Sequence, residues 1–266
     1  MRSDKKGTKL EDAIIVALTI TLSILVVGVG FFRLPSEPLM DEENFTLPCK
    51  AAIVDQLSQT EPNETLIQTC TETMQAEGFS VDYYGGDNVT VDFYKHLPLQ
   101  GYGLILFRVH SAGGVEKPLY LFTSECFDAS KYDFEHRTGQ IVSVGISETL
   151  PYWFGITPSF VRISMQGNFE NTVILMMTCS GMTDVGMAEA LFEKGASIYI
   201  SWTGSVNADH NDHATLVLLQ ELITERQTIA QAVANTRNKV GPDPTYQSQL
   251  AWCPFERKEY TIPPCD

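Results

Sequence analysis

The sequence has no C-x-x-C pair, no internal repeat and no low-complexity tract, and it is poor in cations. Eighteen Lys and Arg stand against 33 Asp and Glu, for a formal net charge of −15. Without C-x-x-C spacing there is no mark of a zinc ribbon or a thioredoxin-type redox motif. An acidic surface does not seek nucleic acid or anionic lipid, so no nucleic-acid partner is expected. The composition, 44% hydrophobic and 19% charged, is that of a globular protein, neither disordered nor fibrous.

Charge is missing altogether from Ala13 to Phe32 (AIIVALTITLSILVVGVGFF). Twenty such residues cross roughly 30 Å of hydrocarbon as a helix. A buried core helix would carry a polar stripe, whereas only Thr19, Thr21 and Ser23 interrupt this run, and their hydroxyls bond back to the helix. A cleaved signal peptide would have a shorter apolar run and a small-x-small site, but this one ends Gly-Val-Gly-Phe-Phe-Arg. The expectation is one transmembrane helix over 13–32. Arg2, Lys5, Lys6 and Lys9 precede it and Arg33 alone follows closely, so the positive-inside rule puts residues 1–12 in the cytoplasm and the remainder outside it. The protein is then a single-pass cell-membrane protein, with the lipid bilayer as a partner. Residues 1–12 carry four cations and three acids, a net of +1, which leaves −16 on residues 13–266.

Residues 33–48, with prolines and a run of acids, read as a stalk. Three sequons, at Asn44, Asn63 and Asn88, fit glycosylation outside the cell. A folded domain is expected over 49–240, followed by a proline-rich, disulfide-containing tail over 241–266. Within the domain, strand patterns at 51–57, 80–84, 104–109, 172–178 and 196–202 alternate with helical patterns at 64–77, 184–194, 214–226 and 228–238. This predicts an α/β fold with buried parallel strands. Segments 118–124 and 140–146 are shorter strand candidates, for an inserted hairpin or a sheet edge.

In open parallel sheets, ligands bind beyond the carboxyl ends of the strands. Two reactive side chains stand there. Leu104–Val109 runs directly into His110-Ser-Ala-Gly-Gly114, and Thr172–Thr178 runs into Cys179-Ser-Gly-Met182. A cysteine nucleophile needs its thiolate, which a neighbouring imidazole or a helix N-terminus favours. The glycines after each residue let backbone N–H groups approach a substrate carbonyl. Taken singly, each residue also has a plain structural reading, but the paired placement points to acyl transfer with Cys179 as nucleophile and His110 as general base and acid.

With the strand ending in His-Ser-Ala-Gly-Gly, the strand ending in Thr-Cys-Ser-Gly, and the continuation Met187 to Gly204, the chain resembles the caspase-like cysteine peptidases, which include the caspases, gingipains, separases and CHAT proteins. The resemblance covers about residues 51–238 and is most specific over 110–114 and 172–204. It implies a caspase-like three-layer αβα sandwich with a mostly parallel sheet, a His110/Cys179 dyad without a required third member, and no metal or other cofactor. It further suggests a substrate pocket bordered by the strand 197–202 and the loop through Asp209, with Asp184, Trp202, Asp209 and Asp212 as its lining. Met177 occupies the position, two before the nucleophile, where many relatives carry an acid.

Backbone N–H groups near Gly113 and at Cys179 are the expected oxyanion donors. The cluster Asp209-His-Asn-Asp-His213 has metal-ligand residue types but no marked third ligand, so it reads as a polar loop capping the next helix through Asn211 or Asp212. Six cysteines allow several pairings. Cys253 with Cys265 is expected because the tail has little apolar surface to fix it, and Cys49 with Cys70 because the first strand and first helix are neighbours. The function expected is a membrane-anchored extracytoplasmic cysteine endopeptidase acting on peptides or proteins. The alternatives are a non-catalytic caspase-shaped binding or adhesion ectodomain using the 203–213 loop, and a cysteine hydrolase or transferase acting on other bonds.

Overall fold

The computed structural model describes residues 46–114, 117–146 and 151–265. The 1–12 segment, the expected transmembrane helix at 13–32, Asn44 and most of the 33–48 stalk lie outside the described residues. Among the described residues no helix is long and apolar enough to cross a membrane.

Among the described residues six strands form the central sheet: β1 (Lys50–Asp55), β2 (Ser80–Gly85), β3 (Leu104–Arg108), β8 (Thr172–Met177), β9 (Ala196–Trp202) and β10 (Leu250–Cys253). Their order is β10-β9-β8-β3-β1-β2. Every pairing is parallel except the last, where β10 runs antiparallel to β9. Apolar side chains account for the parallel core, since all six positions of β8 and all five of β3 are buried, as in strands covered on both faces. Ala52, Val54, Ile105, Phe107, Ile174 and Met176 join one core cluster. The residues between them, among them Ile53, Leu106 and Leu175, are equally buried.

Seven helices flank the strands among the described residues: α1 (Glu64–Ala76), α2 (Val91–His96), α3 (Asp133–Arg137), α4 (Pro158–Ile163), α5 (Gly186–Glu193), α6 (Ala208–Leu219) and α7 (Ile229–Val240). Asn63 caps α1, its Oδ1 accepting from the Leu66 N–H at 3.1 Å. A reciprocal capping box between Thr228 and Gln231 opens α7. Gly195 ends α5 at φ +94°, where a Cβ would lie 2.1 Å from the Phe169 carbonyl oxygen, so only glycine fits. Helices α4 and α5 pack together, as do α6 and α7, and α1 packs on α6.

The stretch expected to be an inserted hairpin or a sheet edge is instead a separate antiparallel sheet, in the order β4 (Ser111–Ala112), β5 (Tyr120–Cys126), β7 (Trp153–Ile156), β6 (Ile141–Val144). Leu121, Ile141, Phe154 and Ile156 share the core cluster with the central sheet.

Two further expectations are corrected. The 209–213 cluster is not a loop: α6 begins at Ala208, after Asn207 in extended conformation, and continues into a π-helical turn at Gln220–Thr224. The cysteine pairing is Cys49–Cys265, with Cα atoms 5.4 Å apart, while Cys70, Cys126, Cys179 and Cys253 are free. Cys253 cannot reach its expected partner because it lies in the edge strand β10, opposite Tyr199. The residues after it carry the chain to the turn between α1 and β2, where the Cys265 N–H donates to the Glu77 carbonyl at 3.3 Å. An extended chain of this length reaches roughly 35 Å, enough to pass the strand spacings between β10 and β1. Cys70 is buried in α1 and feels the charges of Asp212 and Arg108, which lie towards the carboxyl end of the sheet. Cys49 precedes β1, at the opposite end.

Candidate active site

The reactive strands are direct neighbours. Arg108 of β3 pairs with Met177 of β8, so His110 and Cys179 stand at matching positions just beyond the two carboxyl ends. Two hydroxyls hold these ends together. Thr178 Oγ1 donates to the Val109 carbonyl at 2.6 Å, and Ser111 Oγ donates to the Cys179 carbonyl at 2.5 Å. The turn after Cys179 is tight: Ser180 has φ +57°, a conformation that costs a non-glycine residue energy and that recurs at active sites. A Cβ on Gly181 would meet the Ser201 hydroxyl at 2.0 Å. Gly114 has φ +96°, and a Cβ there would lie 3.3 Å from the Ser180 Cβ, so the loop after His110 abuts the turn after Cys179.

His110 is half-buried. Its Nε2 is hydrogen-bonded to Thr60 Oγ1 at 3.1 Å, and its backbone N–H donates to Gln56 Oε1 at 2.9 Å. Both partners lie in the segment that leaves β1. In the tautomer whose Nε2–H donates to Thr60, Nδ1 is a bare acceptor; in the other, the Thr60 hydroxyl donates to Nε2. Burial, followed by the charge of Arg108, pushes the imidazole pKa down to about 4, so the ring is neutral at pH 7.

The Cys179 sulfur is held elsewhere. It accepts from the Val206 N–H at 3.4 Å, and its own S–H lies 3.5 Å from the Val206 carbonyl. Burial raises its pKa, opposed by the Val206 N–H, while Asp243 raises it further. The imidazole and the thiol are therefore both neutral, and no hydrogen bond joins them. The 203–207 strap over the sulfur is fixed in turn. Ser180 N–H donates to the Gly204 carbonyl at 2.8 Å, Ser248 Oγ to the Ser205 carbonyl at 2.5 Å, and the Asn207 backbone and side-chain amides to Asp243.

Beneath His110 lies a buried ionic cluster that sequence reasoning missed. Arg108, 2% exposed, donates through Nη1 to Asp55 Oδ1 at 2.9 Å and through Nε and Nη2 to Asp212 at 2.7 and 2.8 Å. Its Nη2 also reaches the Glu61 carbonyl at 2.7 Å. The signal was available, since a lone cation in a strand otherwise buried on both faces requires carboxylate partners.

This cluster changes the expected substrate pocket. Asp212 is a buried partner of Arg108 and of Asn63, whose Nδ2 donates to it at 2.9 Å, and so is not free to line a pocket. Trp202, 1% exposed, is equally interior, with its Nε1–H donating to Asn211 Oδ1 at 2.8 Å. Asp209 is exposed on the first turn of α6. Asp184 accepts from the Gly186 N–H at 3.0 Å at the start of α5. Trp202 and Asp212 are thus interior, while Asp209 is exposed and Asp184 half-buried. In the 209–213 cluster, His210 Nε2 contacts the Gly241 carbonyl at 3.3 Å, and no group of acidic, His or Cys side chains suited to a metal ion occurs among the described residues.

The amide nitrogens of Asn63 and Asn88 are also in use. A glycan on Asn63 would displace its bond to Asp212, and Asn88 Nδ2 donates to the Gly85 carbonyl at 3.1 Å. Gly113 has φ +89° and sits against the Pro118 carbonyl.

No protein-family model matches the chain, and no curated protein matches it.

Proposed function

We propose that this chain is a membrane-anchored extracytoplasmic cysteine endopeptidase of caspase-like three-layer αβα architecture, with Cys179 as nucleophile and His110 as its base. The observation that carries the reading is the placement of these residues just past the ends of two adjacent parallel strands, in matching register, with the strand ends clamped by Thr178 and Ser111. Thr60 supports it by orienting the imidazole, as a base in such a pair needs a third group to aim it.

The chemistry starts from two neutral groups. When a peptide displaces the Cys179–Val206 contacts, the thiol turns to His110 Nδ1 and gives up its proton there as sulfur attacks the carbonyl carbon. The carbonyl oxygen becomes an oxyanion, for which the N–H groups of Gly113 and Cys179 are the candidate donors. Collapse of the tetrahedral intermediate breaks the C–N bond, and the imidazolium protonates the departing amine. Water, deprotonated by His110, then hydrolyses the thioester and restores the thiol. Profiling the full chain against a peptide library tests this. Cleavage that disappears in Cys179→Ala supports it, and cleavage that survives in that variant refutes it.

One observation favours a second reading, a non-catalytic binding or adhesion ectodomain: the sulfur is engaged by Val206 and the imidazole by Thr60, not by each other. A thiol probe separates the two. Labelling of Cys179 that slows sharply in His110→Ala belongs to the peptidase, and labelling indifferent to His110 belongs to the binding protein.

A further inference from the structure

The strand order reverses between β1 and β3, and such switch points open crevices for ligands. A separate hollow lies on the other side of β1, towards β2. A cavity of about 450 Å³ lies between the amino-terminal half of α1, the segment after β1, and Tyr83 of β2. Its lining includes Asp55, Ser58, Glu64, Ile67, Gln68 and Tyr83. Asp55 is 1% exposed, whereas Glu64, Gln68 and Tyr83 are open to solvent, so the acid forms the floor and the others the rim.

The floor has more carboxyl groups than cations. One guanidinium, that of Arg108, serves two buried carboxylates, Asp55 and Asp212; burial raises the Asp55 pKa against the pull of Arg108, so a further cation in the cavity would favour its ionised form, and Glu64 adds a carboxylate at the rim. Asp55 Oδ1 is taken by Arg108, but among the described residues Oδ2 accepts only from the Tyr83 hydroxyl, at 3.2 Å, and a carboxylate oxygen accepts more than one donor. Two carboxylates are too few to strip a divalent cation of its water. They suit an organic cation, which brings its own donors and an apolar stem. Ile67 and Tyr83 provide the surface for such a stem, and a tyrosine ring also attracts a guanidinium or ammonium group.

We propose that this cavity binds an organic cation through a guanidinium or ammonium group held between Asp55 and Glu64, with its alkyl stem against Ile67 and Tyr83. The site is separate from the dyad and does not depend on the peptidase reading. It is nevertheless linked to His110, because the segment from Gln56 to Thr60 both borders the cavity and holds the imidazole and its backbone N–H. The cation is either a basic side chain of a bound peptide or a free small amine, and competition distinguishes them.

The test is calorimetric titration of the full chain carrying Cys179→Ala, so that turnover cannot intervene, with butylguanidinium and with butylurea, its uncharged analogue. Butylguanidinium is expected to bind one to one and butylurea at least about tenfold more weakly, because only the cation makes charge-assisted hydrogen bonds to Asp55 and Glu64. Glu64→Gln, at an exposed position that leaves folding intact, is expected to weaken binding about tenfold. Ile67→Trp, which fills the cavity, is expected to abolish it. If an arginine-containing tetrapeptide amide competes with butylguanidinium, the source is a peptide side chain; binding of butylguanidinium without competition assigns the site to a free amine. Equal binding of the two analogues, absence of binding at about 10 mM, or affinity unchanged in both variants overturns the proposal.

Discussion

The two ends of the central sheet are built differently. At the carboxyl end, polar groups are taken out of water and held by many hydrogen bonds: Arg108 between two carboxylates, His110 on Thr60, Cys179 under Val206. At the amino end a covalent bond, Cys49–Cys265, ties the last residues of the chain to the start of β1, and a Cβ on Gly78 would run into the Cys265 carbonyl at 1.9 Å. The candidate reactive groups are positioned by reversible contacts, and the end that carries none of them is closed by a cross-link. Substitutions at the two ends should therefore separate chemistry from stability.

The largest effect is expected at the carboxyl end. Cys179→Ala and His110→Ala should each reduce peptide turnover by about 10³- to 10⁴-fold, and the double variant should be no worse than either, because the two act as one unit. Steady-state kinetics on any peptide found by library profiling measures this. Arg108→Ala comes next: it leaves Asp55 and Asp212 buried without a cation and should cost about 3 to 5 kcal/mol of stability, read from urea unfolding.

Cys49→Ser sharpens the contrast from the other end. The disulfide spans 216 residues of sequence, so its loss should cost roughly 5 kcal/mol through the freed unfolded chain while leaving turnover of the folded fraction unchanged. A fall in turnover equal to that of the dyad variants would break the distinction. The smallest effect is expected from acid. Below pH 6.5 the unfolded chain takes up a proton on His110 that the folded chain refuses until about pH 4, so stability should fall as pH drops through that window, by roughly 3 kcal/mol. His110→Gln should remove that part of the pH dependence of the unfolding midpoint.

How much of this was legible in the sequence follows from which forces leave a local trace. β3 and β8 were readable because strands buried on both faces are continuous apolar runs, and the reactive residues follow them directly. β7 and β10 were not. Each is four residues long, one containing Gly155 and the other set in a proline-rich tail, and each owes its existence to a neighbouring strand. The start of α6 was hidden because Asn211 and Asp212 are polar yet buried. Trp202 and Arg108 satisfy them from other strands, so the helix carries polar side chains where an apolar stripe was sought. The disulfide pairing depended on the route of residues 254–264 to the far end of the sheet, which no local pattern encodes.

The central claim is that Cys179 forms the covalent intermediate with His110 as its base, and acid-quenched mass spectrometry during peptide turnover tests it most directly. The account predicts an acyl adduct that maps to Cys179 and is absent from His110→Ala. Turnover that proceeds with no adduct at Cys179, or a folded chain that cleaves no member of a broad peptide library, would contradict it.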